Sequence, residues 1–128
     1  MTREEIENFD KVATQLQSFY DETAVLVKKD PSAAMNKFKI GLINKVLNKA
    51  NDILDERKPF DNFTEFDPDD LNNNSDVEMI LGQYICCLEE IRKDNIHMHA
   101  GYWYWNIDGK EEGDGLRTYL PDKYKFKR

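Results

Sequence analysis

The sequence contains only two cysteines, and they are adjacent, Cys86 and Cys87. Neighbouring side chains on a helix diverge by about 100°, so a disulfide between them would be badly strained. We therefore expect reduced thiols and a cytoplasmic protein. No apolar run approaches the roughly 20 residues that span a bilayer, and the first seven residues lack the apolar stretch of a secretory signal, so we expect no membrane partner.

Basic residues are also too few for nucleic acid to be the main ligand. The formal net charge is −7, whereas phosphate binding relies on a surplus of Lys and Arg. The acidic charge is concentrated in residues 59–80, and the regions 28–58 and 110–128 are basic. This uneven distribution can steer a charged partner, although it is also common on ordinary solvated surfaces.

Catalytic signatures are absent as well. The chain has no GxSxG, Walker-type or GxGxxG pattern, and it has two histidines, His97 and His99. These lie two residues apart and could ligate a metal with Cys87, but no paired ligand spacing supports a zinc site. An EF-hand alignment starting at Asp67 fails because Asn72 stands where glycine is needed. We predict no cofactor and no catalysis, with a metal-assisted enzyme using His97 and His99 as an alternative.

The pattern of apolar residues predicts a mainly α (α+β) fold for one domain spanning 1–128. A capping box of Thr2 and Glu5 starts a first helix at about 3–29, which carries one apolar stripe. Asp30 as N-cap and Pro31 at the first position predict a second helix at about 31–56. Ser75 with Glu78 predicts a third helix at about 76–94. The result is an antiparallel three-helix bundle with a C-terminal β-hairpin.

Two connecting segments carry other expectations. The acidic loop 57–75 holds phenylalanines at 60, 63 and 66, which could attach it to the core. The back face of the third helix, with Met79, Gly82 and Cys86, allows close approach of another element. We expect the aromatic strand to cover that face.

The most aromatic stretch is 96–107, which contains both tryptophans and both histidines. Read as one strand whose side chains alternate between two faces, this stretch carries His97, His99, Trp103 and Trp105 on one face. Residues 116–120 can return as a second strand, giving a hairpin at about 97–120, followed by a basic tail at 121–128.

Tyrosine and tryptophan dominate protein interfaces, which makes this strand a candidate interface. We predict that the protein binds another protein, such as a basic partner that it masks in the manner of an inhibitor or immunity protein. The alternative is a homodimer that packs through the aromatic strand. The predicted interface residues are Tyr102, Trp103, Tyr104, Trp105, Asp67, Asp69 and Asp70.

Overall fold

A computed structural model of the protein describes residues 1–109 and 115–124. Three helices form a bundle, and two short antiparallel strands follow it, which confirms the predicted three-helix bundle with a C-terminal β-hairpin. None of the described helices is both long and apolar enough to cross a membrane. The elements are α1 (Arg3–Lys29), α2 (Lys37–Leu54), α3 (Asn74–Asp94), β1 (Ile96–His99) and β2 (Tyr102–Trp105), with 3₁₀ turns at Asp55–Arg57 and Asp122–Tyr124.

Helix α1 begins at the predicted capping box. The Thr2 hydroxyl accepts a hydrogen bond from Glu5 N at 3.1 Å, and the Glu5 carboxylate accepts one from Thr2 N at 2.9 Å. The hydrogen bond from the Thr2 backbone lowers the pKa of Glu5. The apolar stripe of α1 is buried and packs chiefly against α3.

Helix α2 starts later than predicted. Its N-cap is Asn36, whose side chain accepts from Lys39 N at 2.8 Å, and not Asp30. The residues before it pair with a distant part of the chain, since Ala34 forms an antiparallel bridge with Asn73. Met35 N donates to Asn72 O at 2.8 Å as part of the same contact. These backbone bonds to the segment before α3 replace the helical bonds that Asp30-Pro31 would have started.

Helix α3 starts one residue after its N-cap Asn73, whose side chain accepts from Asp76 N at 2.8 Å. The predicted cap, Ser75, lies inside the helix. The predicted cover on the back face was also wrong, because Cys86 is exposed and Met79 is 58% exposed. Gly82 lies instead against α1, where a Cβ atom would be 3.3 Å from the Tyr20 ring.

The aromatic stretch is a complete hairpin and not one strand. Ala100 and Gly101 both have positive φ, at 51° and 85°, which a tight two-residue β-turn requires. The predicted return strand at 116–120 is reduced to one bridge, between Arg117 and Tyr104. The hairpin boundaries of 97–120 were therefore wrong. Residues 110–114 of that prediction and residues 125–128 of the predicted tail lie outside the described residues.

The loop between α2 and α3 is attached to the core by its phenylalanines. Phe66 is 6% exposed, and the Phe63 ring lies edge-on to Phe66 at 5.1 Å and to Tyr84 at 6.4 Å. These contacts hold residues 58–73 on the bundle, although their only regular pairing is the bridge between Asn73 and Ala34.

Candidate functional site

The two faces of the hairpin differ from those predicted for a single strand. Strand pairing sets His97 opposite Tyr104 and His99 opposite Tyr102. Because opposed residues of antiparallel strands point to the same face, the histidines lie with the two tyrosines. The other face carries Ile96, Met98, Trp103 and Trp105.

Trp105 belongs to the core. It has no exposed surface, and its ring meets Phe9 edge-on with centroids 5.2 Å apart. We therefore leave Trp105 out of the candidate interface. Trp103 and Tyr104 are half-buried, and Tyr102 is 50% exposed, so the hairpin offers aromatic surface mainly through Tyr102.

The histidines are engaged with the hairpin itself. The His97 ring stacks on Tyr104 with centroids 6.1 Å apart, and His97 Nδ1 lies 2.5 Å from Asn106 Oδ1. His99 meets Tyr104 edge-on at 6.4 Å. Cys87 lies on α3, where burial raises its pKa. Within 1–109 and 115–124, no three His, Cys, Asp or Glu side chains are grouped so that they could hold a metal ion.

A buried arginine on α3 joins the helices to the segment after the hairpin. Arg92 is 3% exposed, and its guanidinium lies 4.1 Å from the Tyr119 ring centroid. Its Nη1 donates to the Thr118 hydroxyl at 2.5 Å, and its Nη2 lies 3.3 Å from an Asp10 oxygen. Arg92 Nε and Glu89 Oε2 are 3.5 Å apart, an ion pair too long for a good hydrogen bond.

Arg92 lies at one side of a groove of about 700 Å³ between α1, α3 and residues 117–119. Among the described residues, four carboxylates and two guanidinium groups line the groove, so this lining has a net negative charge. Ala13, Ile85 and Leu88 supply apolar surface. The charged lining residues are Asp10, Asp21, Glu22, Glu89, Arg92 and Arg117.

Glu89 is the most unusual of these carboxylates. Burial raises its pKa, although Arg92 acts in the opposite direction. Within the described part of the chain, its buried Oε2 atom has no hydrogen-bond partner, and its Oε1 accepts a long bond of 3.4 Å from the Tyr119 hydroxyl. Oε2 thus faces only the Arg92 guanidinium, whereas the Glu89 side chain as a whole is 23% exposed and lines the groove.

The groove continues to the exposed end of the hairpin. Arg117 lines the groove, and its guanidinium also lies 3.9 Å from the ring centroid of Tyr102. The groove and Tyr102 thus form one surface, which we call the hairpin groove.

The acidic loop lies elsewhere. Asp67, Asp69 and Asp70 precede the N-terminus of α3, whereas the hairpin follows its C-terminus. Because α3 has 21 residues, these ends are about 30 Å apart. Asp69 is also paired with Lys37 at 3.3 Å. The predicted interface residues therefore fall into two separate regions.

The pair Glu89-Glu90 on the polar side of α3 is typical of a solvated helix face, so these residues do not indicate the hairpin groove in the sequence. That interpretation fails for Glu89, which is half-buried. The available signal was Arg92, which falls four residues after Leu88 on the apolar side of α3. A charged residue at such a position needs partners inside the protein.

Comparison with known proteins yields no relatives. No family model, no curated protein and no solved structure matches the chain.

Proposed function

We propose that the protein is a non-catalytic binding module that takes up a basic side chain of a partner protein in the hairpin groove. The observation that carries this proposal is the lining of the groove, in which four carboxylates of the described residues face two guanidinium groups. A lysine or arginine side chain would balance this excess of negative charge beside Asp21 and Glu89.

The surroundings of Glu89 suit a long basic side chain. Leu88 and Ile85 provide apolar surface for its methylene groups, and Asp21 adds a second carboxylate on the α1 side. Asp21 forms no ion pair with any described residue. Tyr102, half exposed at the end of the surface, supplies rigid contact area of the kind that dominates interface energies.

This proposal keeps the predicted partner class and changes the binding region. The inhibitor or immunity-type role is a proposal of the same kind, since masking a basic partner would use the same charge complementarity. The free thiols of Cys86 and Cys87 agree with the proposed cytoplasmic location.

The test compares capture of partners from lysate by matched variants. The groove variant combines Asp21→Lys with Glu89→Gln, and the control combines Asp70→Lys with Asp67→Asn in the acidic loop. Both variants change the net charge equally, so a difference between them reports location and not total charge. We expect the groove variant to lose the partners that the wild-type protein and the control retain, as identified by mass spectrometry.

A second measurement distinguishes binding in the groove from nonspecific binding. Isothermal titration with a lysine-rich fragment of the captured partner should give binding that the groove variant abolishes. If the loop variant loses binding while the groove variant retains it, the proposed site is wrong. Capture of only acidic partners would overturn the proposed partner class.

A further inference from the structure

A second groove lies between the end of α1 and the start of α2. Its volume is about 520 Å³, and most of its lining is apolar. Three of its apolar side chains are well exposed: Val25 at 53%, Phe38 at 75% and Leu42 at 38%. Clustered exposed apolar side chains of this kind mark interaction sites more often than scattered ones do.

Phe38 is the key side chain of this surface. It belongs to the second residue of α2 and lies beside the groove that Phe19, Leu26 and Met35 help to form. The protein thus presents a protruding ring and a recess on the same patch. A patch that combines both shapes can be complementary to a second copy of itself.

The charges around the groove are also self-complementary. Glu22 lines it from α1 and Lys39 lines it from α2. Lys39 is exposed, so it is a surface ammonium and not a buried one. Neither side chain forms an ion pair within residues 1–109 and 115–124.

We propose that the protein forms a symmetric homodimer through this α1–α2 groove. A two-fold axis along the groove sets the α1 wall of one protomer over the α2 wall of its partner. Phe38 then packs against Val25 across the axis, and Lys39 pairs with Glu22, with both contacts occurring twice. The hairpin is a weaker candidate for the dimer contact, because Trp105 is in the core and the exposed Tyr102 belongs to the hairpin groove.

Sedimentation of the full chain at micromolar concentrations tests the dimer. The wild-type protein should show a concentration-dependent monomer–dimer equilibrium, and Phe38→Lys should raise the dissociation constant at least about tenfold. Leu71→Lys is the matched control, since Leu71 is an 87% exposed apolar residue in the acidic loop. Circular dichroism verifies that each variant is folded, and Leu42→Lys serves as a second groove variant.

A charge exchange tests the pairing across the axis. Glu22→Lys and Lys39→Glu should each weaken the dimer, and the double variant should restore it because the opposite charges again face each other. The dimer proposal is overturned by a wild-type monomer at all concentrations, or by Leu71→Lys weakening association as much as Phe38→Lys. Double variants that stay as weak as the single ones would overturn the two-fold arrangement.

The two grooves have Glu22 in common, so dimerisation and partner capture are separated with variants that leave Glu22 unchanged. The groove variant of Asp21 and Glu89 leaves Phe38, Val25 and Lys39 unchanged, so it should dimerise as the wild-type protein does. A dimer that fails to capture a basic partner, or a monomer that captures one, would separate the two proposals.

Discussion

Asn44 and Phe66 are joined by two hydrogen bonds in the interior. Asn44 Nδ2 donates to the Phe66 carbonyl at 2.8 Å, and Phe66 N donates to Asn44 Oδ1 at 2.9 Å. Both residues are 6% exposed. The side-chain amide of α2 therefore satisfies a loop backbone that has no strand partner, and this pairing fixes the acidic loop on the bundle.

Asn44→Ala should destabilise the protein by about 2–4 kcal/mol, because it leaves two buried backbone groups without partners. Urea unfolding monitored by circular dichroism measures the change. Asn48→Ala is the control, since Asn48 makes one exposed hydrogen bond of 3.4 Å to Glu65. If both variants lost the same free energy of unfolding, the two buried hydrogen bonds of Asn44 would contribute no more than the exposed one of Asn48.

Arg92→Ala should cost about 3–5 kcal/mol, the usual loss when one partner of a buried ion pair is removed. The variant leaves Glu89 without its neighbouring cation and removes the contact with the Tyr119 ring. Arg57→Ala is a suitable comparison, because Arg57 pairs with Asp94 at the surface and should contribute less than about 1 kcal/mol. Similar denaturant midpoints for both variants would contradict the assigned role of Arg92.

The raised pKa of Glu89 predicts a pH dependence of stability. Burial makes the folded protein hold this proton more tightly than the unfolded chain, where the ordinary value is 4.5. The contribution of Glu89 to stability is thus full below pH 4.5 and is lost as the pH rises through the folded pKa. Glu89→Gln should remove this loss and stabilise the protein at neutral pH by up to about 1 kcal/mol.

Glu90 provides a control of opposite sign. Its hydrogen bond from Lys123 lowers its pKa, so its contribution is present above pH 4.5 and is lost as the pH falls through the folded value. The change in the free energy of unfolding between acidic and neutral pH, measured with urea, should therefore shift in opposite directions in Glu89→Gln and Glu90→Gln. A Glu89→Gln protein that is less stable than wild type at neutral pH would show that the attraction of Arg92 outweighs burial.

Local sequence signals predicted a helix well where its residues depend mainly on neighbours in the sequence. The Thr2 and Glu5 capping box and the apolar stripe of α1 both lie within one segment, and both are kept in the fold. The start of α2 was mispredicted because Ala34 pairs with Asn73, a residue far along the chain. The hairpin turn was missed because Ala100 adopts a positive φ without the usual glycine or asparagine.

The candidate site was harder to predict than the fold. The hairpin groove depends on Asp10, Glu89, Arg92 and residues 117–119 meeting, and no spacing in the sequence encodes that meeting. Aromatic density indicates the same region of the chain that the proposed interface uses, since Tyr102 lies at the end of the groove. It could not distinguish Tyr102 from Trp105, because that distinction depends on which face of the hairpin meets Phe9.

Substitutions at Tyr102 and Trp105 should therefore have separate effects, the first on partner binding and the second on stability. Trp105→Ala should cost about 3–5 kcal/mol, since it empties a fully buried site against Phe9. Tyr102→Ala should cost less than about 1 kcal/mol, the scale of its exposed cation–π contact with Arg117. Tyr102→Ala should nevertheless weaken partner capture, measured at a temperature where the variant is fully folded. A Tyr102→Ala protein that binds like wild type would restrict the proposed interface to the carboxylate part of the groove, and a Trp105→Ala protein with wild-type stability would contradict its place in the core.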